Sequence, residues 1–502
     1  MSNGNLNRKI RNGTKWSILA EILAKIMMPI TSMILARFLT PEAFGVVATI
    51  VMVISFADMF SDAGFQKFLI QRQFTSDKNK QESTTVAFWT NIFISFSLWG
   101  LIVVFRDELA ELVGNPGLGH VLVIAGISLP LTSFSSIQMA LLKRDFDFKS
   151  LFYARLIGIC IPLFVTIPLA FIYHNYWALV IGAIVTNLSN AVVLSLRSEW
   201  KPNLFYNFKV LKDMFSFSSW SLIEQITIWI TLYIGTFIVS RYLDLYYLGL
   251  YKNAMAIVNQ IMALIAGAMM PVVFSALSRL QDDRKMFVSM FLKFQRLVTM
   301  FVLPLGFGIF IYRELITNIL LGSQWTEVSE FIGLWALTSS LAIVFGYFSS
   351  EVYRALGKPK LSVLSQLLYL VILIPALIIT AQISFEALYT ARSLVIIPSI
   401  FINLTIMWFV IRISPFKMLK NIFPLIFSSL IMGIAAFGLR LISQHIVWSF
   451  VSIFICIVLY FSILIIFKST RKEVIGVLRP CIVKLSNVLF RKKITYVEKK
   501  TI

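Results

Sequence analysis

The sequence has 502 residues, of which 58% are hydrophobic and 14% are charged, and its mean hydropathy is +0.83. An ordinary soluble domain carries about 25% charged residues, so this composition excludes a cytosolic enzyme, a disordered chain and a secreted disulfide scaffold. The 45 lysines and arginines exceed the 24 acids by 21. In a chain this apolar, an excess of basic residues indicates membrane orientation and not nucleic-acid binding.

Apolar runs long enough to cross a bilayer recur along the chain, and they predict an all-α polytopic membrane protein with about 14 transmembrane helices. The runs lie near Trp16–Leu39, Phe44–Phe65, Val86–Phe105, Val121–Leu142, Leu151–Tyr173, Trp177–Leu196, Phe217–Val239, Leu248–Val273, Phe291–Tyr312, Phe331–Val352, Leu361–Thr380, Leu388–Val410, Ile422–Leu439 and Val447–Ile466. The first run ends without a small-residue cleavage pattern, so we expect it to be a retained span and not a signal peptide.

The loops between these runs alternate in charge. Basic residues occupy the N-terminus and every second connection, whereas the other connections are short and carry acids such as Asp107 and Asp244. The positive-inside rule therefore predicts that both termini are cytoplasmic. The basic tail from Lys468 spaces its apolar residues on one helical face, which predicts a helix lying on anionic lipid, with a partner-binding helix as the alternative.

Residues of the first span and the start of the second recur in the seventh span and the start of the eighth at a constant separation of 204 positions (from 45 to 249, for example). The repeated pairs are Trp16 and Trp220, Arg37 and Arg241, Leu39 and Leu243, and Gly45 and Gly249. Parallel repeats are typical of transporters that rock two halves around a central site. They predict a cytoplasmic N-terminus (1–15), a six-helix lobe (16–196), a cytoplasmic linker (197–213), a second six-helix lobe (214–411), two additional helices (412–467) and a tail (468–502).

Short motifs follow one another in a specific order over residues 12–410. They are Trp16-Ser17, ARFLTPEAFG from Ala36, Asp62-Ala63-Gly64-Phe65, LLKRDFDFKSL from Leu141, YLGLY from Tyr247, FSALSRLQDD from Phe274, LGSQW from Leu321 and RALGKPK from Arg354. In this order they resemble the oligosaccharide flippases of the multidrug/oligosaccharidyl-lipid/polysaccharide superfamily, most closely the Wzx-type exporters of colanic-acid and lipopolysaccharide biosynthesis.

The resemblance implies a transporter, not an enzyme, that flips undecaprenyl-pyrophosphate-linked oligosaccharide across the bacterial cytoplasmic membrane by alternating access. The implied partners are this lipid-linked substrate, membrane lipids, a polysaccharide polymerase and a chain-length regulator. The resemblance implies no cofactor, although transport would be coupled to a proton or a sodium ion. A small-molecule exporter of the same superfamily is the first alternative. A membrane polymerase or ligase is the second, and it would need catalytic groups on a long outer loop, whereas the predicted outer loops are short.

Ionisable residues inside spans are costly and usually face a cavity, so they form the candidate site. Four basic residues are candidate contacts for the pyrophosphate, namely Lys25, Arg155, Lys252 and Arg296. Lys25 is too deep in its span to reach water easily. Glu21 precedes Lys25 by four residues and shares its helix face, so a self-neutralising ion pair is the alternative role of Lys25.

Carboxylates inside spans are candidates for coupling a cation, because they can exchange a proton or a sodium ion during transport. These candidates are Asp58, Glu224 and Glu21. The repeat mates Arg37 and Arg241 are candidate gate contacts, with interfacial snorkelling as the alternative. Lys293, Glu351 and Arg392 are further ionisable residues inside spans. The sequence shows no metal-ligand spacing, phosphate loop or catalytic triad, and three scattered cysteines predict no disulfide framework.

Overall fold

The computed structural model of the protein describes residues 3–62, 64–358 and 360–476. Within these ranges every regular element is a helix, which confirms the all-α class. Thirteen helices of the described chain are long and apolar enough to cross a membrane, judged by length and composition. The predicted seventh span lies inside a further helix, Phe208–Tyr242. The predicted multi-pass membrane architecture is therefore confirmed.

We number the spans 1–14 in chain order. Spans 1–7 are Asn3–Phe38, Pro41–Asp62, Asp77–Val104, Gly119–Gly126 with Ser128–Arg144, Phe148–Ile161 with Ile167–Tyr173, Trp177–Arg197 and Phe208–Tyr242. Spans 8–14 are Leu245–Ser278, Arg284–Ile311, Ser329–Ala342 with Ser349–Ala355, Lys360–Ala381, Phe385–Leu394 with Ile396–Phe409, Pro415–Ile442 and Ile446–Ile466. Shorter helices in the connections are Phe65–Gln71, Arg106–Leu112, Arg313–Leu320 and the 3-10 turn Ser323–Val328.

Span 7 shows why several helices are longer than their apolar runs. Its helix begins at Phe208, whereas the apolar run begins at Phe217. The intervening residues contain neither proline nor glycine, and the side chain of Asn207 caps the first turn by accepting the backbone N–H of Lys209 at 2.9 Å. A segment that contains charged residues, a cap and no helix breaker thus continues as helix beyond the apolar run.

Spans 5 and 10 are each interrupted by one turn of π-helix, at Pro162–Thr166 and Ile343–Tyr347. In span 5 the cause is Pro162, because proline lacks the N–H that an α-helix requires and its ring crowds the preceding turn. Beside this turn Thr166 packs against Gly182 of span 6, where a β-carbon would overlap the threonine hydroxyl. The absence of a side chain at Gly182 thus accommodates the bulge.

Close contacts divide the chain into two compact units that do not follow chain order. Unit 1 holds spans 1–7, span 8 as far as Leu264, and the segments Thr317–Phe331 and Val363–Val395. Unit 2 holds Ile265–Ile316, Ile332–Ser362 and the described chain from Ile396 onward. In unit 2 the core is built on Met300, Ile422 and Tyr460. Lipid tails are as apolar as leucine, so close packing and hydrogen bonds, not exclusion from water, hold such helices together.

A chain of buried hydrogen bonds joins spans 2, 3 and 4 inside unit 1. The hydroxyl of Ser61 donates to Oδ1 of Asn91 at 2.6 Å and lies 2.6 Å from the hydroxyl of Ser133. Nδ2 of Asn91 donates to the hydroxyl of Ser136, also at 2.6 Å. These side chains are almost fully buried, and their mutual pairing fixes the relative position of the three helices.

Candidate functional site

Lys252 is a basic residue of span 8 that has an aromatic partner and no acidic one. Its ammonium lies over the ring of Tyr233 in span 7, 5.2 Å from the ring centroid. Among the residues that the structure describes, no carboxylate pairs with it, and the nearby charge that acts on it is that of Arg392. A cation–π contact of this kind contributes about 0.5–2 kcal/mol. The contact fixes the ammonium without neutralising it.

Tyr233 contacts one aromatic residue, Trp229, which in turn contacts a second, Phe56. Its ring stacks on Trp229 with centroids 5.3 Å apart, and Trp229 contacts Phe56 of span 2 at 4.7 Å. The indole N–H of Trp229 donates to the hydroxyl of Ser55 at 3.0 Å. Residues four apart share a helix face, which is why Trp229 and Tyr233 stack. We refer to Phe56, Trp229 and Tyr233 as the aromatic column.

Arg392 of span 12 is buried beside the same part of span 8. Its Nε donates to the hydroxyl of Tyr251 at 3.0 Å, and its Nη1 donates to the hydroxyl of Tyr369 in span 11. A β-carbon at Gly235 would overlap the Tyr251 hydroxyl, so this glycine makes room for the arrangement. Tyr251 immediately precedes Lys252, and unit 1 therefore concentrates positive charge where spans 7, 8, 11 and 12 meet. The sequence identified Arg392 as ionisable but gave no sign of these partners.

Lys25 and Glu21 form the ion pair that their spacing allows. The Lys25 ammonium lies 3.6 Å from a Glu21 carboxylate oxygen, and the two side chains are 22% and 57% exposed. An exposed pair of this kind contributes about 0.2–1 kcal/mol. Both candidate lysines thus lie inside spans, but Lys25 has an acidic partner and Lys252 has an aromatic one.

The other two candidate cations have different surroundings. Arg155 of span 5 is exposed. In unit 2, the guanidinium of Arg296 donates to the carbonyl of Ser469 at 2.9 Å and to Oδ1 of Asn421 at 2.8 Å, and it lies 3.6 Å from Glu473. Through these contacts Arg296 of span 9 connects the segment that follows span 14 with span 13. The predicted lipid-bound helix continues into residues 477–502, which lie outside the described residues.

The candidate coupling acids also differ from one another. Asp58 of span 2 is half-buried, and its Oδ1 accepts the hydroxyl of Thr132 in span 4 at 2.8 Å. Glu21 is exposed and pairs with Lys25. The side chain of Glu224 lies outside the described part of the chain. Within that part, no cluster of histidine, cysteine and acidic side chains has the arrangement of a metal site.

The repeat mates Arg37 and Arg241 have unequal partners. Nη2 of Arg37 donates to the carbonyl of Ile319 at 2.9 Å, at the end of the short helix Arg313–Leu320. Arg241 is exposed at the end of span 7. A carbonyl in the last turn of a helix lacks an intrahelical donor, so Arg37 acts as a cap for the connection between spans 9 and 10.

The same connection caps the end of span 1 in return. Trp325 is fully buried, and its indole N–H donates to the carbonyl of Ala36 at 2.8 Å. Nε2 of Gln324 donates to the carbonyl of Leu39 at 3.2 Å. Gly322, whose φ is +104°, provides the turn that brings these side chains to the helix end. The LGSQW motif therefore has a structural role that its sequence alone did not reveal.

Spans 2 and 8 cross close to where each helix begins. A β-carbon at Gly45 would overlap the carbonyl oxygen of Leu245, and a β-carbon at Gly249 would overlap that of Pro41. Pro41 and Leu245 are separated by the same 204 positions as the two glycines. Each repeat thus places a glycine against the main chain of the other, and we refer to this reciprocal contact as the glycine crossing. The sequence repeat pairs the glycines, but it does not reveal the contact.

Unit 2 contains an apolar cavity of about 400 Å³. Its lining comes mainly from spans 9, 13 and 14 and includes Met300, Phe301, Pro304, Met432, Ile453 and Phe461. The sequence did not predict this cavity, because an apolar helix face looks the same whether it contacts protein, lipid or an internal space.

Comparison with known proteins gives a family and a fold. Residues 34–330 match the family described as polysaccharide biosynthesis protein. The chain is 26% identical over 337 residues to the succinoglycan biosynthesis transport protein ExoT of Rhizobium meliloti (strain 1021), covering 66% of this chain and 67% of that one. It is 21% identical over 383 residues to the lipopolysaccharide biosynthesis protein WzxC of Escherichia coli (strain K12), covering 75% and 76%.

Among solved structures, the lipid II flippase MurJ in an inward closed conformation superposes with a TM-score of 0.72 at 16% identity, over 90% of this chain and 98% of that chain. This likeness shows the fold. Because the family match extends over more than half of the residues, the chain belongs to the polysaccharide biosynthesis protein family.

Proposed function

We propose that this protein flips undecaprenyl-pyrophosphate-linked oligosaccharide from the inner to the outer leaflet of the bacterial cytoplasmic membrane by alternating access. Relatives named as transport proteins of succinoglycan and lipopolysaccharide synthesis support the proposal, as does the fold shared with a lipid II flippase. The flipped unit would supply O-antigen, capsule or exopolysaccharide synthesis, and a polymerase and a chain-length regulator would act on it next.

The observation that carries the proposal is the environment of Lys252. A charged side chain inside a span is stable only beside water or a counter-charge, and the described residues offer Lys252 an aromatic ring and no carboxylate. A pyrophosphate is the multiply charged anion that such a cation binds in the low-dielectric interior. The buried Arg392 strengthens the same positive field. We therefore assign the pyrophosphate to Lys252 before Lys25.

The substrate also has a long isoprenoid chain, which needs an apolar path. The cavity among spans 9, 13 and 14 has the volume and the lining for a segment of such a chain. Methionine and aromatic side chains adapt to a flexible branched hydrocarbon. The cavity thus supports a lipid-linked substrate over a small water-soluble one.

For coupling we propose Asp58. Its carboxylate is half-buried in span 2, accepts one hydroxyl hydrogen bond from Thr132, and has no basic partner among the described residues. An acid in this setting can alternate between a free and a proton- or sodium-bound form. In vesicles, Asp58→Asn is expected to abolish the response of flipping to an imposed proton or sodium gradient. An unchanged response to both gradients in the variant would rule Asp58 out.

The direct test measures the sidedness of the lipid-linked glycan in cells that lack the gene. An outer-leaflet-restricted glycan probe is compared with the total extracted lipid-linked glycan. We expect the glycan to accumulate in the inner leaflet only, and the intact gene to restore its outward appearance. Lys252→Ala should fail to restore it, whereas Lys212→Ala, a change at an exposed lysine near the start of the span 7 helix, should restore it. Normal outward appearance in cells with neither this gene nor a redundant transporter would refute flipping.

A further inference from the structure

We infer that the connection between spans 6 and 7 (198–207) lies in the surface of the bilayer and binds anionic phospholipid. The sequence predicts a cytoplasmic linker at this place (197–213). In the position that we infer, the side chains of Leu204 and Phe208 contact acyl chains, and the ammonium of Lys209 contacts a lipid phosphate. The inference goes beyond the proposed function, because it does not depend on what the protein transports.

The first argument is the depth at which the connection packs against span 3. The indole N–H of Trp89 donates to the carbonyl of Asn203 at 2.8 Å, and the hydroxyls of Thr90 and Tyr206 lie 2.9 Å apart. Trp89 lies seven positions (from 82 to 89) after Glu82, the last charged residue before the apolar part of span 3. Seven residues advance about 10 Å along a helix. The connection therefore lies beside the first apolar turns of span 3 and not beyond them.

The second argument is the exposure of apolar side chains at this level. Phe93 lies one turn deeper than Trp89 on the same face of span 3 and is 73% exposed, so lipid covers this face next to the connection. Leu204 is 96% exposed and Phe208 is 76% exposed. Apolar surface left in water is unfavourable, and acyl chains at this depth are the neighbours that remove the cost.

The third argument is the pairing of polar main-chain groups, which non-helical chain needs wherever water is scarce. The carbonyl of Asn203 has its donor in span 3. The ammonium of Lys201 donates to the carbonyl of Ser195 in the last turn of span 6 at 2.6 Å, and the side chain of Asn207 accepts the backbone N–H of Lys209 at 2.9 Å. The connection thus satisfies the ends of both helices and can lie between headgroups and acyl chains.

The fourth argument is charge. Lys209 is exposed in the first turn of span 7, directly after the exposed ring of Phe208. Exposed apolar side chains beside basic ones are typical of a segment that lies on anionic lipid. The stretch 197–213 has four basic residues against two acids, namely Arg197, Lys201, Lys209 and Lys212 against Glu199 and Asp213. An anionic headgroup therefore fits this surface better than a neutral one.

The test measures which quencher reaches position 204. The three native cysteines are replaced by alanine in the full-length chain, Leu204→Cys is labelled with a fluorophore, and the protein is placed in nanodiscs. We expect brominated phosphatidylglycerol to quench this label strongly and aqueous iodide to quench it weakly, as for Phe93→Cys. Asp282→Cys, in the exposed connection between spans 8 and 9, should give the reverse. Strong quenching of Leu204→Cys by iodide and none by the lipid would overturn the inference.

A second measurement tests the contact with phosphate. Quenching of the label at position 204 is titrated with brominated phosphatidylglycerol and with brominated phosphatidylcholine, and we expect the anionic lipid to bind about fivefold more tightly. Lys209→Gln should remove this preference. Lys285→Gln, at an exposed lysine near the start of span 9, should retain it. Equal affinity of the two lipids with Lys209 present would overturn the contact between Lys209 and phosphate.

Discussion

Gly45 lies directly against the backbone carbonyl of Leu245. A main-chain carbonyl cannot rotate out of the way as a flexible side chain can, so the approach of spans 2 and 8 depends on the missing β-carbon. Gly249 repeats the relationship with Pro41. Each repeat therefore contributes one of the two glycines on which the glycine crossing depends.

We expect Gly45→Ala and Gly249→Ala each to lower the free energy of unfolding by about 1–3 kcal/mol, because an added methyl group forces two helices apart. The rate of flipping should decrease as well. Thermal unfolding in detergent and recovery of outer-leaflet glycan in the deletion strain measure the two effects. Gly100→Ala is the matched control, since nothing lies within 4 Å of a β-carbon built at Gly100. Equal stability of the Gly45 and Gly100 variants would show that the crossing tolerates a side chain.

The two lysines inside spans should differ in their effect on transport. Lys252→Ala is expected to reduce the initial rate of flipping more than tenfold, which corresponds to about 1.4 kcal/mol. Lys25→Ala should have a smaller effect, because Lys25 already has Glu21 as its partner. The double variant Glu21→Gln/Lys25→Gln should flip substrate at nearly the unmodified rate. A greater loss in Lys25→Ala than in Lys252→Ala would reverse the assignment of the pyrophosphate.

Tyr233 is expected to position Lys252 through its ring and not through its hydroxyl. Tyr233→Phe keeps the cation–π contact and should preserve affinity for undecaprenyl pyrophosphate. Tyr233→Leu removes the contact and should weaken affinity by about 2- to 30-fold, the range that corresponds to 0.5–2 kcal/mol. Tyr173→Leu, at an exposed residue of span 5, controls for the loss of an aromatic ring. Equal affinity of Tyr233→Phe and Tyr233→Leu for undecaprenyl pyrophosphate would contradict a positioning role for the ring.

Glu473 belongs to unit 2 and follows span 14. Its carboxyl makes the free energy of unfolding depend on pH. Burial raises the pKa of the Glu473 carboxyl above its usual 4.5, and the charges of Arg296 and Lys293 offset part of this rise. A raised pKa means that the folded state holds the proton more tightly than the unfolded state. The free energy of unfolding therefore decreases as pH rises above 4.5 through the folded-state pKa.

The variant Glu473→Gln cannot ionise, so unfolding measured from pH 4 to pH 7 should show a shallower decrease than in the unmodified protein, by about the contribution of one group. Arg296 keeps its bonds to Ser469 and Asn421 in this variant. Glu108→Gln, at an exposed acid, should leave the slope unchanged. An identical slope in Glu473→Gln would mean that Glu473 titrates alike in the two states.

The spans were predictable because a bilayer imposes a length on every helix that crosses it. Each predicted apolar run overlaps a helix of the structure. Helix ends were harder to predict, as span 7 shows, because a segment interrupted by charged residues, such as 208–216, remains helical beyond the apolar run. Capping residues such as Asn207, and not hydropathy, determine those boundaries.

Contacts in the candidate site were predictable only where both residues lie on the same helix. Glu21 and Lys25 lie one turn apart on one helix, so their ion pair could be anticipated from spacing alone. The surroundings of Lys252 involve spans 2, 7, 11 and 12, and no spacing in the sequence reveals which residues of separate helices meet. Arg296 shows the same limit, because its partner Glu473 is distant in sequence and lies beyond the last span.

The glycine crossing joins the two repeats through main-chain atoms, and this has a consequence for sequence divergence. Main-chain atoms are the same in every residue, so the positions that supply the carbonyls can vary, as Pro41 and Leu245 do. Only the two glycines are restricted by the contact. A substitution elsewhere in one half therefore requires no compensating substitution in the other half at this point, and relatives can drift far apart in sequence while the two halves continue to meet in the same way.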